Sequence, residues 1–303
     1  MNISERILEF SCAGEAIFGI VCVPDEARTT GVVVVVGGPQ YRVGSHRQFL
    51  LLSRALANAG YPVMRFDYRG MGDSGGDPVE FEHADKDIAA AIDAFVERYP
   101  EVKRIVLWGL CDAASASLLY WDARRDQRIA GFCLLNPWVR SEASLAKTHM
   151  KHYYGQRLLQ WDFWKKLLSG KAEILRSLRG LAMNWRLTRT SIGPEARSTE
   201  DDMFQNRMAR ALREFNGRVM LILSGNDYTA KEFVQHASDD QLWRGLLNGS
   251  SLTQLTLPDA DHTFSSATWR ADVANTTLGW LDIVDQSANL PLARAAESAR
   301  GCQ

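Results

Sequence analysis

Five consecutive valines, Val32 to Val36, constrain this chain more than any other feature. β-branched side chains lose rotamer freedom in a helix and pack well on a pleated surface. A run that is apolar on both faces therefore predicts a strand covered from both sides. The residues that follow repeat the theme. Ser45 predicts the cap of a helix over His46 to Ala59 that Gly60 closes, and Tyr61 to Asp67 reads as the next strand. Asp85 to Tyr99 carries Ile88, Ala91, Ile92, Phe95 and Val96 at helical spacing. Ile105 to Trp108 and Gly131 to Leu135 are further strands, with helix formers from Ala113 to Leu119 between them. This alternation predicts an α/β fold: a mostly parallel sheet with helices on both faces and right-handed crossovers.

Glu5 to Ser11 and Ile17 to Val23 precede that pattern and predict an antiparallel hairpin around Ala13-Gly14-Glu15. Beyond residue 200 the pattern resumes: a helix over Asp201 to Phe215, a strand over Arg218 to Leu223, and a mostly helical stretch from Ala230 to Leu247. A last strand over Leu252 to Leu257 and a terminal helix over Ala267 to Val284 complete it, with Ala293 onward expected to fray. Between Val139 and Ser198 the alternation stops. Residues 139 to 200 hold 12 Lys and Arg against 5 Asp and Glu, a difference of +7, together with Trp161, Trp164 and Trp185. The expected division is a core of 1–138 and 199–303 with a helical cap at 139–198. That cap is either a solvated basic face anchored by ordinary tryptophans or a lid that lends aromatic and cationic groups to a pocket.

Thirty-five Lys and Arg nearly balance 36 Asp and Glu, so charge offers no argument for a nucleic-acid or anionic-membrane partner. No run approaches the ~18 apolar residues that a transmembrane segment requires. The opening residues, with Glu5 where a leader would be basic, predict no export signal. The five cysteines (12, 22, 111, 133 and 302) are odd in number and lack metal-ligand spacing. Reduced thiols, a cytoplasmic location and no metal or organic cofactor are the expectation.

Chemistry concentrates at one place. The strand over Ile105 to Trp108 stops at small residues around Cys111, with Gly109 two residues before it and Ala113 two after. A nucleophile on a sharp strand-to-helix turn needs small neighbours at those two positions. A buried, inert thiol is the competing explanation. Two further groups sit at strand ends: Asp227 after the strand over Arg218 to Leu223, and His262 after the last one. The C-terminal edge of a parallel sheet is where ligands bind. The chain order of nucleophile, acid and histidine is the one this architecture uses for a triad. His46, His83, His149, His152 and His236 fit surface roles, and Asp259 and Asp261 lie too near His262 in the chain to orient its ring easily.

With these residues the chain resembles the α/β-hydrolase superfamily. The resemblance is carried by Gly37-Gly38, by Phe66-Asp67-Tyr68-Arg69-Gly70-Met71-Gly72-Asp73-Ser74, by the elbow Gly109 to Ala113, by Gly225-Asn226-Asp227 and by Asp261-His262-Thr263-Phe264. The stretch Gly37-Gly38-Pro39-Gln40-Tyr41-Arg42-Val43-Gly44-Ser45-His46-Arg47-Gln48-Phe49 is similar to the type 1 hydrolases that accompany bacterial exosortase A systems. That resemblance implies an accessory role beside exopolysaccharide production and protein sorting. It supplies no substrate. The Cys111-His262-Asp227 triad, read from the strand ends and the chain order, is expected to form an acyl-cysteine on a small-molecule or acyl-carrier ester or thioester.

The oxyanion needs N–H donors. The amide of Asp112 is the natural first one, and either Gln40 or Gly38 supplies the second, with Gln40 favoured because Pro39 has no N–H. Arg42, Tyr41 and Trp138 are candidate substrate contacts. Cys in place of Ser also resembles dienelactone hydrolases and acyl-CoA:amino-acid acyltransferases of this fold. An acyltransferase using the same intermediate, or a non-catalytic scaffold, are thus the alternatives. An inward-pointing Asp112 carboxylate would oppose thiolate formation.

Overall fold

The computed structural model describes residues 2–38, 40–140 and 203–300, with 288–300 described by backbone alone. Eight strands form one sheet: β1 (Ile3–Cys12), β2 (Glu15–Pro24), β3 (Thr30–Val35), β4 (Val63–Phe66), β5 (Arg104–Leu110), β6 (Ile129–Leu135), β7 (Arg218–Ser224) and β8 (Leu252–Leu257). They lie in the order β1-β2-β4-β3-β5-β6-β7-β8. β1 and β2 pair antiparallel over their whole length, β2 meets β4 antiparallel, and every pairing from β4 to β8 is parallel. The parallel part therefore delivers the C-terminal ends of β5, β7 and β8 to one edge, which is where a strand-end site must form.

Among the described residues six α-helices flank the strands: α1 (Gln48–Asn58), α2 (Asp85–Arg98), α3 (Asp112–Arg124), α4 (Phe204–Glu214), α5 (Tyr228–Asp239) and α6 (Ala267–Arg300). The valine run explains the two layers. Val32, Val34 and Val36 pack on one face with Phe49 and Leu56 of α1 and Trp280 and Leu281 of α6. Val33 and Val35 face the other way, into a layer that also holds Ile88 and Phe95 of α2, Leu118 of α3, Met208 of α4 and Phe233 of α5. Each such valine is fully buried, and each contributes about 1.5–3 kcal/mol of transfer free energy.

The expectations from sequence differ from the structure in three places. Ser45 caps no helix. It starts a short 3-10 turn (Ser45–Arg47), and α1 begins only at Gln48, after Arg47 in a left-handed conformation that no side chain caps. The stretch from Ala230 does not stay helical to Leu247, because α5 ends at Asp239 where extended Asp240 takes the Leu242 amide at 2.7 Å. The terminal helix does not stop near Val284 but continues to Arg300. Ala293, Ala295, Ala296 and Ala299 are among the strongest helix formers and favour the helix past Pro291, a residue that by itself opposes it. The cap predicted at 139–198 lies outside the described residues, apart from its first two positions.

Candidate active site

Cys111 caps α3 with φ 62° and ψ −125°, a region an L-residue occupies only when its surroundings enforce it. The enforcing contacts are visible. The Cys111 amide donates to the Leu135 carbonyl at 2.8 Å, and the Cys111 carbonyl accepts from the amides of Ala114 and Trp138 at 3.1 and 3.2 Å. Ser115 Oγ then donates to the Trp138 carbonyl at 2.6 Å. Gly109 is required by space rather than by its torsion, since a Cβ there would lie 2.6 Å from the Ala113 carbonyl carbon. The sharpness of the turn follows from the small residues two positions either side, as the spacing predicts.

The four described cysteines are free thiols, and only Cys111 is not fully buried. Burial raises the Cys12 thiol and pushes Cys22 and Cys133 up to about 11 and about 12. Those three are packing residues, leaving Cys111 as the accessible sulfur of the group.

His262 Nδ1 lies 2.9 Å from Asp227 Oδ2. The same carboxylate caps α5, accepting from the amides of Thr229 at 3.2 Å and Ala230 at 3.1 Å. Burial pushes the Asp227 pKa up, but the His262 bond and the two cap amides outweigh it and hold the group below the usual carboxylate range. On His262 the Asp227 bond is the largest influence and the Cys111 thiol, as a second hydrogen-bond partner, the next. Together they overcome desolvation and raise the imidazole to about 10. A proton on this ring at neutral pH is the form that stabilises a thiolate next to it. Asp261 is engaged in its own loop, accepting from Thr263 N at 3.1 Å and Ser265 N at 3.0 Å.

Sequence reasoning passed over Asn136 and Ser224. Asn136 is completely buried with φ 44°. Its Nδ2 donates to Ser224 Oγ at 2.9 Å and to the His262 carbonyl at 3.2 Å, while its Oδ1 accepts from Ser224 N at 2.8 Å. Ser224 Oγ donates to the Asp261 carbonyl at 2.8 Å. The pair ties the end of β6 to the end of β7 and to the backbone of the histidine loop. The only signal in the sequence was an asparagine before Pro137 at a strand end.

The residues expected around the nucleophile have mixed placements. Gln40 and Tyr41 line a cleft with Gly38, Tyr68, Phe81 and Asp112. The Gln40 side chain turns to the 3-10 turn before α1, its Oε1 accepting from Ser45 N at 3.2 Å. The Gly38 amide is aimed at the elbow: it meets Asp112 Oδ2 at 2.7 Å. The guanidinium of Arg42, offered by the sequence to a substrate anion, is held by Asp67 and Asp73. Trp138 fixes the elbow through its backbone, and its indole packs partly buried against the core.

Buried Tyr68 has a hydroxyl with no hydrogen-bond partner among the described residues; burial and then the Asp112 carboxyl keep its proton well above the usual phenol range. A separate apolar cavity lies between α1 and α6, lined by Leu52, Trp108 and Val273, and Cys111 takes no part in it. Among the described residues no cluster of three His, Cys, Asp or Glu side chains could hold a metal, and no helix is long and apolar enough to cross a membrane.

Residues 27–239 match the family model described as Hydrolase_4, serine aminopeptidase, S33. The chain belongs to this α/β-hydrolase family. The S33-family chain also resembles solved structures over almost its whole length. The Pyrococcus furiosus esterase Pf2001 is 16% identical with a TM-score of 0.57, covering 90% of this chain and 91% of that one. A thermophilic esterase from Thermogutta terrifontis is 16% identical with a TM-score of 0.54, covering 92% and 99%. An α/β serine hydrolase homologue from Coxiella burnetii is 13% identical with a TM-score of 0.57, covering 91% and 97%. At these identities the likeness concerns the fold.

Human protein ABHD12B is 39% identical over 74 residues, 23% of this chain, and the match spans 20% of that protein's length. The family takes its name from a serine, and this hydrolase carries Cys111 on its elbow.

Proposed function

We propose that this S33-family hydrolase cleaves a carboxylic ester or thioester through Cys111, His262 and Asp227. The observation that carries the reading is the 2.9 Å His262–Asp227 bond beside a thiol held at a strained, partly exposed elbow. The Cys111 sulfur attacks the acyl carbon, a C–S bond forms, and the carbonyl electron pair moves onto oxygen. The imidazolium of His262 gives its proton to the departing alkoxide or thiolate as the old C–O or C–S bond breaks, leaving an acyl-cysteine. Water then attacks the thioester with His262 as base. The acid leaves, and the proton returns to the Cys111–His262 pair.

The Asp112 and Gly38 amides are the donors this reading assigns to the developing oxyanion. The resemblance of Gly37 to Phe49 to the exosortase-associated hydrolases supports an accessory, cytoplasmic role beside that machinery. Residues 139–198 would then be a helical cap over a core of 1–138 and 199–303. A small-molecule or acyl-carrier substrate fits the cleft at Gly38 and Tyr41.

One observation favours a second reading. The Gly38 amide already has a partner in the Asp112 carboxyl, as expected of a scaffold that has lost turnover. Intact-mass analysis separates the two. Reduced wild type and Cys111→Ala are exposed briefly to p-nitrophenyl acetate and the adduct is mapped. We expect an acetyl adduct on Cys111 of the wild type that decays in buffer, and none on the variant. A folded wild type with neither adduct nor turnover would leave the scaffold reading. Faster decay on adding an amine would redirect the acyl group to an acceptor, making the protein an acyltransferase.

A further inference from the structure

The Asp112 side chain occupies the place an acyl oxyanion needs. Its Oδ2 accepts the Gly38 amide at 2.7 Å and its Oδ1 the Ala113 amide at 3.0 Å, and its own amide is a further hydrogen-bond donor to the carboxyl. Two of these three donors, Gly38 and Asp112, are those that acyl chemistry at Cys111 would use. The fit is built in from another element as well. A Cβ on Gly37 would lie 2.0 Å from Asp112 Oδ1 and 2.7 Å from the Ala113 amide nitrogen, so the glycine after β3 leaves room both for the start of α3 and for the carboxyl seated on it. Ordinary helix-terminus electrostatics explains an acid at the first position of α3. It does not explain why that acid reaches across to the Gly38 amide.

We propose that the Asp112 carboxyl is an internal competitor for the oxyanion site, so that a substrate carbonyl must displace it from Gly38 before Cys111 can be acylated. The inference rests on the acyl-cysteine reading above. Charged carboxylates bind amide donors more tightly than neutral carbonyls do, so the resident group sets how strongly a substrate must bind to react. Asp112 is then a selectivity residue: it slows acyl transfer from weakly held esters and spares substrates whose remaining contacts in the cleft supply the displacement. The residue acts on attack at a carbonyl and leaves other reactions of the thiol alone.

That distinction supplies the test. Second-order rates of Cys111 acylation by p-nitrophenyl acetate and of alkylation by iodoacetamide are measured on reduced wild type, Asp112→Asn and Asp112→Ala, each checked by near-ultraviolet circular dichroism. Alkylation forms no oxyanion, so it reports only how the local charge affects the sulfur. The ratio of acylation to alkylation should rise by at least roughly tenfold in Asp112→Ala and less in Asp112→Asn, given that one oxyanion donor is worth about 10²–10³ in rate. If Asp112→Ala fails to fold, a raised ratio in Asp112→Asn carries the same meaning. An unchanged or lowered ratio in the folded variants overturns the role of Asp112 even if Cys111 is acylated. Normal alkylation with no acylation in any of the three proteins overturns the acyl-cysteine reading, and this inference with it.

Discussion

Cys111 faces two opposing neighbours. His262, raised to about 10 by its bonds to Asp227 and then to the thiol, offers a positive charge. Asp112, whose pKa burial raises despite its amide bonds, offers a nearby carboxyl. The histidine is the easier of the two to follow. Its Cε1 proton in NMR should titrate well above the ordinary value near 6.5 in wild type, and Asp227→Asn should lower that midpoint by at least roughly one unit. An unshifted midpoint would mean that Asp227 does not set the charge on the ring. The sign for stability follows. A raised folded-state pKa favours the folded protein fully below about 6.5, and this contribution disappears as pH climbs toward about 10.

At the scale of elements, the site depends on three strand ends keeping register. β6 pairs with β7 from Gly131↔Arg218 to Leu135↔Ile222, and Asn136 continues that union as a side-chain clamp on Ser224 and the His262 carbonyl. Asn136→Ala leaves the buried Ser224 amide without its acceptor, and an orphaned buried group costs about 1–3 kcal/mol. Denaturant unfolding should show a loss of that size. If the proposed acyl-cysteine reaction holds, its kcat should fall more than KM changes, because the clamp orients the histidine loop and is not among the residues assigned to the substrate. A stability loss with kcat intact would make Asn136 purely structural. Gly109 and Ala113 as close neighbours of the elbow were legible from the sequence, because the turn is local. The clamp was not, because Asn136 and Ser224 are 88 residues apart and meet only across paired strands.

At the scale of the whole molecule, α6 is bound to the opposite end of the sheet by a cluster of charges. Asp285 accepts from Thr30 Oγ1 at 2.5 Å, from Arg28 Nη1 at 3.2 Å and from Arg104 Nη2 at 3.2 Å. Thr30 is fully buried, so Asp285→Ala strands a buried hydroxyl and should destabilise by about 1–3 kcal/mol. Asp282, though half exposed, accepts the hydroxyl of fully buried Tyr61 at 2.9 Å, so its replacement should also cost about 1–3 kcal/mol. Neither variant should alter the alkylation rate of Cys111, since the cluster joins the start of β3 and β5 to α6, far along the strands from their C-terminal ends. A changed rate would show that the helix layer and the elbow are coupled.

The sequence by itself determined the α/β layering, the parallel sheet and the strand-end positions of Cys111, Asp227 and His262. Each of these follows from periodicity and local turn chemistry, which depend on neighbours in the chain. Tertiary structure decided that the Gly38 amide meets the Asp112 carboxyl, because that depends on how the loop after β3 crosses the start of α3. It likewise decided that Arg42 pairs with Asp67 and Asp73 and that Asn136 holds the histidine loop. The Asp112 carboxyl belongs to both accounts. Its place beside the thiol was written in the sequence, whereas its seat on the Gly38 amide required Gly37 to leave room, a contact between residues that only folding brings together.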